Sequence, residues 1–320
     1  MKAITIPEFG SADVLRLDEV EIPVPGPGQV SIDVGYAGAN FAEILYRRGV
    51  VDVPLPFVPG IEVSGRVRAL GPGVEGLRVG QPVAALTIVD SGGYAEVVTT
   101  SADLVAPLDG HDLGLGVAAA LPSNSTTAFL VLDRVARIEP GESVLVHAAA
   151  GGVGSQLGQA ARSLGAGRVV GTVGSPAKIE TAKAFGYDEV VLREQVADAG
   201  RFDVVVDMVG GPARRSSLDL LAPMGRMVVM GNASGAEDVG ISADELWFTN
   251  KTVCGFTLAA FSAAFPVEAG RALRRAVAAA ASGELGLRVE SLRLEQAAEA
   301  HRRIESGRTT GKLVLEVERM

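Results

Sequence analysis

The 320-residue sequence holds a single cysteine, Cys254, which excludes an intrachain disulfide and any site built on several thiolates. That scarcity suits a reducing compartment. No run of about 18 apolar residues occurs, so no membrane-spanning helix is expected. Residues 1–7 lack the apolar core of a signal peptide, and together these absences predict a cytoplasmic protein. Internal repeats, low-complexity tracts and long linkers are also missing. Basic residues are the minority, 29 against 38 acidic, and the net charge of −9 disfavours a nucleic-acid surface. The whole composition, 48% hydrophobic and 21% charged, is the balance of a soluble globular enzyme and argues against disorder. The length predicts two domains, each with its own core.

The chain changes character along its length. Short β-rich runs at 2–6, 15–20, 29–36, 61–70, 82–86 and 94–99 alternate with Pro/Gly turn signals such as Pro23-Val-Pro-Gly-Pro-Gly28. They predict a mostly antiparallel β domain interrupted by one helix near 40–48. Beyond about residue 115 apolar strands alternate with helices, the pattern of a parallel sheet covered on both faces. Strands are expected at 143–149, 168–173, 188–192, 202–208, 226–231 and 252–258, and helices at 154–165, 176–185 and 212–222. The tail reads as helices at 265–282 and 294–306 and a closing strand at 312–317, which should pack back onto the N-terminal domain. The fold class is therefore α/β.

The most informative stretch is Ser143-Val-Leu-Val-His-Ala-Ala-Ala-Gly-Gly-Val-Gly154. An apolar strand feeds a glycine cluster and then a helix, so backbone can approach a pyrophosphate at a helix N-terminus. Ala149 stands where the fingerprint has its first glycine. No carboxylate follows the second strand, Val170-Gly-Thr-Val-Gly-Ser175, at the spacing of about 20 residues used to bind a ribose diol. Ser175, Lys178 and Arg193 stand there instead. They suit a 2′-phosphate, and hence NADPH, although Lys178 and Arg193 also read as solvated charges. At other strand ends, His147 packs against the sheet or donates a proton, Asp207 binds a ligand or caps a turn, and Asn232 after Gly231 is placed to hold nicotinamide or ribose.

His147-Ala-Ala-Ala-Gly-Gly-Val-Gly154, Gly171-Thr-Val-Gly-Ser175, Gly231-Asn-Ala-Ser-Gly235, Asn40-Phe41, Pro59-Gly-Ile-Glu62 and Gly311-Lys-Leu-Val314 together resemble the zinc-independent, zeta-crystallin-like quinone oxidoreductases of the medium-chain dehydrogenase/reductase superfamily. The resemblance runs nearly end to end. It implies a GroES-like β domain (1–119 and 260–320), a Rossmann domain (120–259), an active site in the cleft, and a homodimer formed through the strand near 252–258. It also implies cofactor contacts from Asn40, Thr127, Ala150, Gly151, Gly152, Val153, Gly174, Ser175, Lys178, Gly231, Asn232, Phe256 and Leu258, with Lys312 near the phosphates or an ordinary surface charge. The zinc ligand positions of the metal-dependent branch align with Asn40, Ile61 and a site near Ser123, so no metal is expected. Glu62 is given a structural role. Tyrosines typical of related pockets are missing: Leu45 takes the first position, with Tyr46 one residue on, and the turn reads Gly49-Val50-Val51. Tyr46 serves the pocket only if the helix turns by one residue; otherwise it packs in the interior.

A quinone is activated by its own conjugation, so the protein's task is to hold a dihydronicotinamide against a flat acceptor. Asn40 and Asn124 are the candidate donors to the developing oxyanion. The expectation is NADPH-dependent, metal-independent hydride transfer to a small-molecule quinone or other conjugated carbonyl. The alternatives are an alkenal or enone double-bond reductase and a non-catalytic NADPH-binding protein.

Overall fold

A computed structural model describes residues 1–317, which fall into two compact units. One comprises residues 1–126, 258–283 and 287 onward; the other comprises 127–257 and 284–286. These limits differ from the sequence-based ones: 120–126 and Leu258 lie with the β-rich unit, and three residues of the tail lie with the nucleotide-type unit.

In the β-rich unit, β1 (Lys2–Thr5) and β2 (Arg16–Glu19) form an antiparallel pair. The main sheet uses β3 (Gln29–Ala39), β4 (Glu62–Leu70), β5 (Pro82–Leu86), β6 (Val97–Ser101) and β7 (Val105–Pro107). Helices α1 (Phe41–Arg47) and α2 (Leu115–Ala118) lie in this segment. Val30, Ile32 and Val34 of β3 sit two apart and are buried together with Val63 and Val67 of β4 and Val83 of β5, a strand-period core face.

The second unit begins within α3 (Asn124–Phe129), which runs on as a π-type turn over Leu130–Val135. It continues through β8 (Ser143–Val146), α4 (Gly152–Ser163), β9 (Arg168–Val173), α5 (Ile179–Lys183), β10 (Glu189–Leu192), β11 (Phe202–Asp207), α6 (Pro212–Asp219), β12 (Leu221–Val229), α7 (Ala243–Thr249) and β13 (Thr252–Gly255). Its six strands are parallel in the order β10-β9-β8-β11-β12-β13. Strand order therefore reverses direction between β8 and β11, where α/β sheets of this kind bind ligands outside their carboxyl ends. Val144, Leu145 and Val146, like Val204, Val205 and Val206, are wholly buried in unbroken runs, as a sheet covered on both faces requires.

The chain then returns to the first unit with α8 (Leu258–Ala264), α9 (Pro266–Ala281), β14 (Val289–Arg293), α10 (Ala297–Glu305) and β15 (Lys312–Glu316). The main sheet runs β14-β15-β3-β4-β5-β7, with β6 also on β3. The tail thus joins the N-terminal sheet through β15 on β3, Leu313 opposite Ala39. Several limits needed revision, among them the helix expected over 212–222, which ends at Asp219 and gives way to β12 from Leu221. The strand expected over 143–149 stops at Val146, because Ala148 turns the chain with φ of 55°. The strand expected over 252–258 stops at Gly255, and Leu258 opens a helix. Among the described residues no helix is long and apolar enough to cross a membrane.

Candidate active site

The nucleotide half is built by backbone. Ala148 O accepts from Gly151 N at 2.9 Å, closing a tight turn before α4. A Cβ on Gly154 would lie 2.2 Å from Ala148 O, so only glycine lets the first helical turn pack on this loop. Gly151 caps α4 without a side-chain hydrogen bond, and Gly151, Gly152 and Val153 are partly exposed. A twelve-residue helix thus presents its first N–H groups and positive dipole end with no side chain closing them off, a fit to a phosphate. Ala150 is buried, so its part in such a site is confined to backbone.

The carboxyl end of β9 is basic. Gly174 is exposed, and Arg193, directly after β10, brings Nη2 to 3.6 Å from where a Gly174 Cβ would stand. Ser175 and half-buried Lys178 follow, and burial holds the Lys178 ammonium below its ordinary pKa. The end of β11 is scaffold. Asp207 Oδ1 accepts from Val209 N and Gly210 N at 2.9 and 3.0 Å, and Oδ2 accepts from Arg214 Nε at 2.9 Å. Asp207 is a turn cap.

Arg214, which no sequence signal marked, also donates to Gly231 O at 2.8 Å and pairs with Asp238. Asn232 was expected to face nicotinamide or ribose, but its Nδ2 donates to Ala236 O at 2.8 Å and its Oδ1 accepts from Ser234 at 2.9 Å. Its amide shapes its own loop instead. His147 is buried between the hydroxyls of Thr172 (2.9 Å) and Ser217 (2.8 Å). Burial, with a further push from Arg193, lowers its pKa to about 4. It is neutral scaffold at pH 7, not a proton donor.

The β-rich unit contributes a buried polar cluster assembled from five segments. Asn40 follows β3 as the N-cap of α1, and Glu43, in the first turn of α1, accepts from Asn40 N at 3.0 Å as in a capping box. The other Glu43 oxygen accepts from Ile61 N at 3.1 Å. Glu62 at the start of β4 accepts from Asn40 Nδ2 at 2.8 Å, from Ser123 N at 2.7 Å, and from the Lys312 ammonium of β15. Lys312 also donates to Asn40 Oδ1. Room for Glu62 comes from Gly38, whose Cβ would lie 2.3 Å from Glu62 Oε1. Lys312 is therefore a buried ion-pair partner of Glu62, neither a surface charge nor a cation left over for phosphate.

Burial is the main cause that raises the Glu43 pKa to about 7, and the nearby Glu62 charge adds to it; Lys312 and the backbone donors oppose. Asn40-x-x-Glu43 was the available sequence signal for Glu43. Tyr46 packs edge-on against Phe57, centroids 5.6 Å apart, and burial, then Glu43, pushes its pKa up to about 12. It keeps its proton and fits the packing alternative. Asn124 and Thr127 are buried on α3; Phe256 donates N–H to Val229 O at 2.9 Å; Leu258 is buried at the head of α8.

Comparison with known proteins fits both halves. Residues 26–110 match the alcohol dehydrogenase GroES-like domain, and residues 152–273 match the zinc-binding dehydrogenase family. A probable quinone oxidoreductase of Schizosaccharomyces pombe is 33% identical over 98% of this chain and 96% of its own. The chain belongs to the quinone oxidoreductases of the medium-chain dehydrogenase/reductase superfamily. It is an oxidoreductase with a GroES-like unit and a Rossmann-type unit. A quinone oxidoreductase of Escherichia coli, solved in complex with NADPH, superposes with a TM-score of 0.89 at 29% identity, covering 99% of this chain and all of that one. The human synaptic vesicle membrane protein VAT-1 homolog-like is 33% identical over the whole chain and 81% of that protein.

The positions that the sequence resemblance sets against zinc ligands carry other chemistry. Asn40 offers an amide, while Ile61 and Ser123 offer backbone N–H groups to the two carboxylates. Among the described residues no group of three or more His, Cys, Asp or Glu is arranged to hold a metal ion.

Proposed function

We propose that this oxidoreductase reduces quinones with NADPH and without a metal ion. The basic end of β9 carries the cofactor preference: Ser175, Lys178 and the Arg193 guanidinium beside Gly174 replace the carboxylate that would bind a ribose diol. A 2′-phosphate is matched in charge there, and a carboxylate would repel it. When bound, NADPH would supply a hydride, and the reduced acceptor would take up one proton from water to become the hydroquinone. The chain's own residues hold the nucleotide phosphates on the α4 N-terminus and give a hydrogen bond to the acceptor oxygen as charge builds on it. Relatives named as quinone oxidoreductases support this acceptor class. Loss of the turn tyrosine at Gly49-Val50-Val51 counts against enoyl thioesters.

The test is steady-state NADPH oxidation with 1,4-benzoquinone, 9,10-phenanthrenequinone, 2-hexenal and crotonyl-CoA. Turnover of the quinones is expected; turnover of the alkenal alone overturns the reading. We also infer a homodimer through β13. That strand pairs only with β12 among the described strands, and the stacked Trp247 and Phe248 nearby in sequence are 72% and 75% exposed. A monomer mass by light scattering would refute it.

A further inference from the structure

We propose that Lys312 is a positioning residue that locks the Asn40 amide with its oxygen held in the core and an Nδ2–H offered to the acceptor. The inference rests on the reading that the β-rich unit receives the acceptor oxygen. Its basis is the chemistry of the two partners that grip the amide. An ammonium only donates and a carboxylate only accepts, so Lys312 must take Oδ1 and Glu62 must take Nδ2. A flipped amide would face donor with donor and acceptor with acceptor. Both clamps are nearly solvent-free, with Lys312 5% and Glu62 0% exposed, so neither escapes to water.

Asn40 itself is only partly buried. One Nδ2 proton is committed to Glu62 at 2.8 Å, while the remaining contacts of Nδ2, Gly38 O and Glu43 Oε1, are both at 3.5 Å. Such long contacts leave the second proton weakly engaged. The amide can therefore present a donor and never a carbonyl, as a preorganised group for a developing oxyanion should. Glu62 is itself fixed by Ser123 N, so orientation passes from the head of α3 and from β15 to Asn40 without any of these clamps touching the acceptor.

Lys312→Met alone strands a buried Glu62 carboxylate and is expected to fold poorly. The informative protein is the charge-neutral Lys312→Met/Glu62→Gln, because the amide that replaces the Glu62 carboxylate can pair with either end of Asn40. With 1,4-benzoquinone and NADPH, its kcat should fall on the order of 100-fold while NADPH affinity, followed by nucleotide fluorescence, stays within about twofold. Lys312→Arg, which keeps a donor to Oδ1, should recover most of that loss. In an Asn40→Ala background the double substitution should lower kcat no further. A second readout needs no turnover: the Asn40 Nδ2 proton resonances, assigned by their loss in Asn40→Ala, should shift in the double variant and stay in place in Lys312→Arg.

Wild-type kcat in the double variant, additive losses in the Asn40→Ala background, or a loss confined to nucleotide affinity would each overturn the proposal. If the double variant does not fold, a Lys312→Arg protein with unshifted resonances supports the proposal, and shifted ones refute it. Absent quinone turnover by the unaltered protein instead refutes the proposed function, with the resonance experiment still deciding the role of Lys312.

Discussion

The two units handle buried polarity in opposite ways. In the Rossmann-type unit the buried polar side chains are scaffold: His147 rests neutral between two hydroxyls, and Asp207 caps a turn while pairing with Arg214. What this unit leaves open is backbone at the head of α4 and the basic side chains Lys178 and Arg193 beyond β9 and β10. In the GroES-like unit one buried polar cluster is the candidate site itself, with Glu43, Glu62 and Lys312 enclosed around Asn40. One unit leaves open the helix-end amides that intrahelical bonding does not satisfy; the other holds charges that persist only because each faces an opposite charge or a donor.

Removing one member of the enclosed pair should give the largest effect. Glu62→Ala leaves the Lys312 ammonium buried without its counter-charge, and a loss of about 3–5 kcal/mol is expected in urea unfolding. A loss below about 1 kcal/mol would show that water reaches the cluster and would erase the contrast between the units. In the other unit, Gly154→Ala forces a methyl to 2.2 Å from Ala148 O. Overpacking of about 1–3 kcal/mol is expected, together with weakened binding of both NADPH and NADH in calorimetry. Undiminished affinity would dissociate that turn from the nucleotide.

Stability should also respond to pH. Glu43 has its pKa raised from 4.5 to about 7, so the folded state binds its proton more tightly than the unfolded chain. Its contribution is complete below pH 4.5, declines as pH rises through about 7, and totals on the order of 2–4 kcal/mol. His147 works in the opposite sense: with its pKa lowered to about 4, it costs stability as pH falls from 6.5 toward that value. Glu43→Gln should therefore flatten the loss between pH 5 and 8 relative to the parent, as read from unfolding midpoints. An unchanged pH profile would mean that Glu43 ionises freely. The smallest effect is expected at the rim: Lys178→Ala should weaken NADPH by roughly tenfold, about 1.4 kcal/mol, and NADH hardly at all. Equal losses would remove Lys178 from the 2′-phosphate.

The same contrast explains what was legible in the sequence. A backbone site is written in consecutive residues, so the strand, the glycines from 151 to 154 and the helix stood out together, and β9 was placed at its observed limits, Arg168–Val173. The polar cluster draws Asn40, Glu43, Ile61, Glu62, Ser123 and Lys312 from distant segments. Asn40 was singled out, but the partners of Lys312 could not be found without β15 lying on β3. Asn232 misled because a polar residue after a strand serves a ligand or its own loop equally well, and only the Ala236 carbonyl decides. Helix α7 and strand β14 were not anticipated; both carry charged and exposed residues that blur the periodic pattern.

The position of β15 also has a consequence for how the molecule is made. That strand lies between β14 and β3, yet it follows every other described strand in the chain. The Rossmann-type unit is nearly contiguous and can complete its sheet during synthesis, whereas the other must wait with β3 lacking this neighbour and Glu62 lacking its counter-ion. We expect a chain truncated before Gly311 to keep a protease-resistant fragment spanning 127–257 and to be digested elsewhere; uniform resistance would contradict this order of assembly. Nascent protein would thus acquire its nucleotide fold before its redox chemistry.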